Sequence, residues 1–311
     1  MRGTWIAWAM AAALIALVSI PVVRLPAPPA DSAGPWRLAF QRFRRNRGAR
    51  LALGVIVAFY VVAALAPLLA PYPPNALLDI TGMTGRPPSM ANLLGTDLVS
   101  RDVLSRIIHG ARVSLSIGLL AVLLSITVGT MYGALAGFVG GLTDTVMMRI
   151  IDALLSVPRI LVLIAVTALW DRLSLPGLII LIGLTGWFGV SRIVRGQVMA
   201  LSTREFVISA RSLGADGWRV LGRHILPNVL SPVIVAATLG VGNVIILETG
   251  LSYLGLGVQP PQASWGSIIF DGSEQVSTTW WISLFPGLAI VMTVMAFNAV
   301  GDGLRDALDP R

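Results

Sequence analysis

One polar segment decides the fold of this chain: REFVISARSLGADGWRVLGRHILPN, residues 204–228, which separates two long apolar runs. A polar connection of this length is uncommon in a compact protein unless it has a function, so we expect it to bind a partner. Its pattern predicts two short helices, at 205–213 and 216–224. Gly214 permits the positive φ of a helix C-cap, and Asp216 is placed to cap the second helix.

Apolar runs make up most of the remaining chain. Of its 311 residues, 55% are hydrophobic and 12% are charged, and the mean hydropathy is +0.80, so the chain must place its surface in a bilayer. A helix needs about 20 residues to cross the hydrocarbon layer. The runs that are long enough are 51–70, 113–138, 145–170, 176–194, 227–250 and 280–300. None of them alternates as a membrane β-strand does, so the sequence predicts an all-α polytopic membrane protein with six core helices.

The basic residues orient this bundle. All 23 of them are arginines, and the net charge is +8. The positive-inside rule places the arginine-rich stretches in the cytoplasm. These stretches are 36–50, the loop at Arg149, 196–226 and the C-terminus. Segments 71–112 and 258–279 then face outward. An arginine excess of this kind indicates membrane topology and does not imply a nucleic-acid partner.

Several kinds of site are excluded by composition. The chain has no lysine, which the phosphate-binding loop G-x-x-x-x-G-K-[ST] requires, so it cannot carry a standard ATP-hydrolysing loop. It has no cysteine, and its two histidines, His109 and His224, are too far apart to suggest a zinc motif. We therefore expect neither a metal site nor a cofactor in this chain.

The N-terminal region is divided from the core by a proline-rich linker. Residues 4–23 are apolar and long enough to span, which predicts an extra helix with its N-terminus outside; an artefactual upstream start or a surface-lying segment is the alternative. Trp36, Phe40 and Phe43 recur at helical spacing beside arginines, as in an interfacial helix on anionic headgroups, or else belong to a solvated basic tail. The expected regions are 1–35, 36–112 and 113–311, the last containing the loop 200–226.

The polar segment resembles the signature loop of permease subunits in ATP-binding-cassette importers, in which Glu-Ala-Ala precedes a glycine and a distant Leu-Pro. Ser209-Ala210, Gly214 and Leu226-Pro227 match at the expected spacing, whereas Ile208 replaces the glutamate and His224 replaces an isoleucine. The resemblance implies that this helix docks into a groove of an ATPase. The residues assigned to coupling are Glu205, Ser209, Ala210, Arg211, Ser212, Leu213, Gly214, Ala215, Asp216 and Pro227. The alternative is an ordinary helical hairpin that covers the base of the bundle.

A finer resemblance extends over most of the chain. It rests on LGTDLVSRDVLSR at 94–106, ETGLSYLGLGVQPP at 248–261 and GDGLRDALDP at 301–310, which are similar to the C-lettered subunit of dipeptide and oligopeptide importers. The resemblance implies the type I importer permease fold, a heterodimer with a sister permease, and an external solute-binding protein that delivers a peptide-like ligand. It also implies two ATPase subunits, which bind ATP and magnesium, and the bacterial cytoplasmic membrane, with the C-terminus in the cytoplasm.

Two further groups of residues are candidates for function. The external segments carry both charge signs, and the residues expected to contact the binding protein are Asp97, Arg101, Asp102, Trp265 and Asp271. The charges near Asp97 equally fit i,i+4 pairs on one surface helix. Arg159 falls near the middle of the third core helix, where an unpaired arginine is costly. We expect it either to pair with Asp152, Glu248 or a residue of the sister subunit, or to line the pathway and offer its guanidinium to a carboxylate.

Two other classes of protein compete with the importer subunit. An ion-coupled secondary transporter is also a polytopic bundle with few charges in the membrane, but the signature loop argues against it. An intramembrane enzyme is disfavoured, because no G-x-S-x-G, H-E-x-x-H or paired-aspartate motif falls in a helix with suitable spacing.

Overall fold

The computed structural model describes residues 35–79, 82–170 and 173–308. These residues form helices and irregular connections without a β-strand, apart from one isolated bridge between Thr96 and Asp102. The helices are α1 Pro35–Arg45, α2 Arg47–Ala64, α3 Ala66–Leu69, α4 Val103–Val139, α5 Gly141–Leu155, α6 Arg159–Leu169, α7 Leu175–Ser202, α8 Glu205–Ser212, α9 Gly217–Val220, α10 Leu226–Tyr253, α11 Trp265–Ser273 and α12 Trp281–Leu308. The expected extra helix at 4–23 lies outside the described residues.

Five helical stretches of the described chain are long and apolar enough to cross a membrane, and the pair α5 and α6 gives a sixth span if it is counted as one. This agrees with the six apolar runs. The run at 145–170 does not form one continuous helix, however, because α5 and α6 are bent by 70° at the break between them. Pro158 causes the break: it has no N–H to donate, and its ring disfavours helical backbone at Val157.

Small residues let α4 and α7 pack closely. Gly129, Gly133 and Gly137 follow each other at four-residue spacing on one face of α4. A Cβ built on Gly133 would lie only 2.2 Å from the carbonyl oxygen of Ser191 on α7, and one on Gly137 would lie 2.8 Å from that of Arg195. Close approach of this kind supplies dispersion contacts where lipid offers no hydrophobic driving force.

The basic N-terminal stretch does form a helix. Ala39 and Phe43 of α1 are buried and belong to the core, and α1 packs against α12, whereas Phe40 stays exposed. Asn46 then caps α2 by accepting a hydrogen bond from the N–H of Ala49 at 3.1 Å. The predicted helix is therefore confirmed and rests on the last helix of the bundle, and its placement on lipid headgroups stays a prediction.

Consecutive spans are joined at alternate ends of the bundle. One end carries Gly140 and the segment 203–216, which we call the basic end. The opposite end carries the irregular residues 82–102 that precede α4, the end of α6, the start of α7, and residues 254–280 with α11. The two groups of candidate surface residues therefore lie at opposite ends of the molecule.

Candidate functional site

The segment at the basic end has the local structure that its sequence predicts. After α8, the N–H of Gly214 donates to the carbonyl of Arg211 at 2.9 Å, and that of Ala215 donates to Ala210 at 3.0 Å. This is the Schellman arrangement, which requires a left-handed residue, and Gly214 has a φ of +81°. Asp216 accepts a hydrogen bond from the N–H of Trp218 at 3.1 Å and so caps α9. The predicted roles of Gly214 and Asp216 in the backbone are confirmed.

The second short helix is not a separate element. α9 continues through a π-helical turn, Leu221–Ile225, into α10, so that Gly217–Tyr253 is one uninterrupted helical span. The expectation of a helix confined to 216–224 is therefore wrong. Pro227 explains the π turn, because its ring would clash with the carbonyl four residues earlier in a regular α-helix, and the wider turn relieves that clash.

One side of this segment is fixed to the bundle. Val207 of α8 and Val220 of α9 are completely buried and pack in one cluster with Val194 and Val198 at the end of α7. The guanidinium carbon of Arg211 also lies 5.9 Å from the ring centre of Phe138 at the end of α4. Movement of the segment must therefore be transmitted to the ends of the spanning helices that it contacts.

The other side exposes apolar side chains. Leu213 is 89% exposed and Trp218 is 64% exposed, and we call these two residues the apolar docking face. Phe206 and Ile208 are exposed as well, but they are two residues apart and so lie on different sides of α8. Ala210 and Ala215 are half-buried, and the remaining residues assigned to coupling are exposed: Glu205, Ser209, Arg211, Ser212, Gly214, Asp216 and Pro227. Phe206, Ile208 and Trp218 were not among the residues predicted to take part in coupling, although large apolar residues in a polar segment were a usable signal.

Four charged residues form a network at the opposite end. Asp97 accepts from Arg101 Nε at 2.6 Å and from Arg106 Nη1 at 2.8 Å. Asp271 of α11 accepts from Arg106 Nη1 at 2.8 Å and from Arg101 Nη2 at 2.9 Å. Asp97 and Arg106 are almost completely buried. The network ties the irregular segment before α4 to α11. The expectation that these charges lie on a single surface helix is wrong, because α4 begins only at Val103.

Two more of the expected external contacts are buried. Asp102 caps α4 by accepting from the N–H of Ser105 at 2.8 Å. Trp265 is fully buried, and its Nε1 donates to the carbonyl of Ile107 at 3.1 Å. Like Asp97, these side chains have no surface to offer a partner, because packing and capping use them internally. Arg101 and Asp271 remain partly exposed and line a cavity of about 360 Å³.

The three pathway candidates are not brought together. Asp152 pairs with Arg192 of α7 at 2.6 Å. Arg159 donates from Nε to Thr185 Oγ1 at 3.1 Å and from Nη2 to the Ile182 carbonyl at 2.6 Å. The expected pairing of Arg159 with Asp152 or Glu248 is therefore wrong. The bend before α6 separates Arg159 from the face of α5 that carries Asp152.

Glu248 belongs to a different environment. It is completely buried in α10, where its Oε1 accepts from Ser252 Oγ at 2.6 Å and from Ser264 Oγ at 2.7 Å. These hydrogen bonds connect α10 to the residue that caps α11. A fully enclosed carboxyl group does not line an open pathway, so its contacts indicate that it holds these two helices together.

Comparison with known proteins identifies the family of the chain. Residues 129–311 match the family described as binding-protein-dependent transport system inner membrane component, and residues 34–88 match the N-terminal transmembrane domain of oligopeptide transport permease C. The dipeptide transport system permease protein DppC of Bacillus subtilis is 40% identical over 274 residues, 88% of this chain and 85% of that protein.

Two other relatives are similar over still more of their length. The oligopeptide transport system permease protein OppC of Bacillus subtilis is 41% identical over 276 residues, 89% of this chain and 90% of that protein. The glutathione transport system permease protein GsiD of Pectobacterium atrosepticum is 37% identical over 295 residues, 95% of this chain and 96% of that protein. All three are transport permeases. The chain therefore belongs to the binding-protein-dependent transport system inner membrane component family, as a multi-pass permease subunit of the oligopeptide permease C type.

Proposed function

We propose that this permease carries peptides or peptide-like solutes into the cell. Its relatives are named for dipeptides, oligopeptides and glutathione, which share an amide backbone and a free carboxylate. In this proposal the chain forms half of the pathway in a heterodimer with a sister permease in the bacterial cytoplasmic membrane. The basic end and the C-terminus lie in the cytoplasm, in agreement with the arginine distribution.

The apolar docking face carries the coupling part of the proposal. Its two side chains stand on a segment whose other side is anchored by Val207 and Val220. The ring of Trp218 also contacts Phe138, with 6.1 Å between ring centres, so the surface is firm, and it is exposed mostly through Leu213. Such a surface is typical of a protein contact. We assign that contact to one of two ATPase subunits, which bind ATP and magnesium and move α8 and α9 as they open and close.

An external solute-binding protein completes the assembly. Arg101 and Asp271, at the rim of the cavity at the opposite end, are the expected contact candidates that remain accessible. Their opposite charges suit a polar surface on the binding protein. Such charges determine how the partner is oriented on the permease more than how tightly it binds.

Uptake by reconstituted vesicles tests this function. The complex is placed in proteoliposomes with ATP inside, binding protein outside, and radiolabelled dialanine, trialanine or glutathione as the probe. We expect uptake that requires both ATP and the binding protein and that persists when ionophores collapse the ion gradients. Uptake driven by a gradient in the absence of ATP would instead identify an ion-coupled secondary transporter, which nothing in the comparisons favours.

A further inference from the structure

Arg159 differs from Arg192 and Arg195 of α7 in the way it is held. Arg192 pairs with Asp152, and Arg195 pairs with Asp144, so the chain neutralises both internally. Arg159 has only neutral partners, Thr185 Oγ1 and the carbonyl of Ile182, and its Nη1 makes no hydrogen bond or ion pair with a described residue. Its positive charge is therefore uncompensated within the part of the chain that the structure covers.

The position of this charge is close to the middle of the bilayer. Thr185 lies ten residues after Leu175, the first residue of α7, which corresponds to about 15 Å along the helix axis. That is half of the roughly 30 Å thickness of the hydrocarbon layer. An arginine exposed to lipid at this depth is costly, so the open side of Arg159 must face protein or water in the assembled transporter.

The surroundings of Arg159 are shaped to hold the guanidinium. A Cβ built on Gly186 would lie 3.1 Å from Arg159 Nη2 and 2.5 Å from Ser125 Oγ, so the glycine provides the space that the side chain occupies. The two neutral acceptors fix the planar group before any anion arrives. An arginine that is oriented in advance loses less freedom when it binds a carboxylate.

A line of polar groups continues from this point towards the basic end. Arg192 lies seven residues after Thr185 and so on the same face of α7. Its partner Asp152 belongs to α5, and both side chains of this pair are 48% exposed. Arg159, Thr185, Arg192 and Asp152 thus form a polar seam between α7 and the bent pair α5 and α6. Arg192 lies about 26 Å along α7 by the same measure, so this pair reaches water near the basic end and the seam leads from there to Arg159.

We infer that Arg159 is an anion-binding residue of the translocation pathway, which takes the carboxylate of a passing peptide at mid-membrane. The inference rests on the proposed function for the identity of the ligand, since a peptide with a free C-terminus carries this group. Arg159 Nη1 donates to the carboxylate, while Thr185 and Ile182 hold the guanidinium in place. Arg192, already neutralised by Asp152, does not retain the anion further along the seam.

A first experiment tests the site without any peptide. Because the chain has no cysteine, Gly189→Cys places a single thiol in the seam, at a position where no described residue lies within 4 Å of a Cβ. Leu161→Cys is the matched control, since Leu161 is exposed on α6 but two residues away from Arg159 and so on the opposite face. Water-soluble methanethiosulfonate reagents, one anionic and one cationic, are applied to the detergent-solubilised complex, and labelling of this chain is measured by mass spectrometry.

We expect Gly189→Cys to be labelled and Leu161→Cys to remain unlabelled. The anionic reagent should react faster than the cationic one with Gly189→Cys, and the ratio of the two rates should fall when Arg159→Ala is added. If Gly189→Cys does not react with either reagent, the seam is not open to water and Arg159 does not line the pathway. If Arg159→Ala leaves the ratio of anionic to cationic labelling rates unchanged, Arg159 is not an anion site. If the complex with Arg159→Ala also has a lower melting temperature, Arg159 pairs with a carboxylate of the sister subunit instead.

A second experiment tests the ligand. Uptake of trialanine is compared with that of trialanine C-terminal amide, and each variant is normalised to wild type with the same peptide, so that the preference of the binding protein cancels. Arg159→Ala should lower trialanine uptake by about tenfold, the effect of losing one charge-assisted hydrogen bond, and should leave uptake of the amide nearly unchanged. Thr185→Val, which removes one anchor of the guanidinium, should show a smaller loss with the same selectivity.

The two experiments separate the inference from the function on which it rests. Equal losses for the acid and the amide would contradict carboxylate binding. If wild-type vesicles import neither peptide, the proposed substrate class is wrong, whereas the labelling ratios still decide whether Arg159 is an anion site of the pathway.

Discussion

Arg106 Nη1 lies 2.8 Å from Asp97 Oδ2, and both side chains are more than nine-tenths buried. This ion pair lies where the chain leaves its irregular outer segment and enters α4. Asp97 Oδ1 also accepts from the N–H of Arg101 at 2.8 Å, so a single carboxylate organises both the backbone turn and the guanidinium groups. The network therefore holds the outer segment against the bundle.

Asp97→Asn should destabilise this end of the protein. The amide keeps the shape and the oxygen that caps the turn, but it removes the negative charge beside buried Arg106. Breaking a buried ion pair costs about 3–5 kcal/mol, because one charge is left uncompensated. We expect a lower melting temperature of the purified chain, with no change for Asp306→Asn, an exposed control on α12. Equal melting temperatures for both variants would contradict a structural role for the network.

Gly133→Ala tests the packing of α4 on α7. The added Cβ would lie 2.2 Å from a backbone oxygen of α7, so the two helices must separate. Overpacking of this kind costs about 1–3 kcal/mol. Gly54→Ala on α2 is the control, because nothing lies within 4 Å of its Cβ position and alanine favours the helix. The melting temperature should fall for the first variant only; a fall for neither would mean that α4 and α7 are not packed this closely.

Gly214→Trp should leave the subunit inserted but abolish transport. No described residue lies within 4 Å of a Cβ built at Gly214, so the chain leaves space for the side chain to start outward, towards a docked partner. Its φ of +81° adds strain of about 1–2 kcal/mol for any L-residue. Gly214→Ala carries the same strain without the bulk and serves as the control. Import assays should show a partial loss for alanine and a complete loss for tryptophan, whereas full import by the tryptophan variant would refute docking at this position.

Single thiols report the orientation of the bundle. Ser212→Cys at the basic end should be shielded from an impermeant thiol reagent in intact cells, while Gln262→Cys at the opposite end should react. Both side chains are exposed in the described chain, so burial within this subunit does not account for a difference. The reverse labelling pattern would overturn the proposed orientation. The corresponding test of the extra N-terminal helix is external labelling of Thr4→Cys.

The sequence predicted those structural features that depend only on a few neighbouring residues. Gly214 and Asp216 take the expected cap positions, because a positive φ and a side-chain cap depend on a few neighbouring residues. The apolar runs likewise identify the spans, since the bilayer sets their length. Pro158 was visible as a helix breaker, but neither the 70° bend nor the contact of Arg159 with Thr185 follows from the sequence.

Roles that depend on distant packing were not predictable. Asp97, Asp102 and Trp265 have the residue types of a contact surface, yet they are buried, because α11 folds back on the segment before α4. The partner of Asp152 is Arg192, 40 positions away in the sequence, and only the arrangement of α5 beside α7 brings the two together. A charged residue alone does not indicate whether its partner is internal or external.

Recovery of the ATPase subunits with Leu213→Asp tests coupling through the apolar docking face most directly. Burial of a leucine side chain is worth about 1.5–3 kcal/mol, so its loss corresponds to a decrease in affinity of about ten- to a hundredfold. Met90→Asp is the control, because Met90 is 97% exposed but lies at the opposite end. When the complex is purified through a tag on this chain, we predict that the ATPases co-purify with wild type and Met90→Asp and are lost with Leu213→Asp. Undiminished ATPase recovery and ATP-driven import with Leu213→Asp would contradict coupling through this surface.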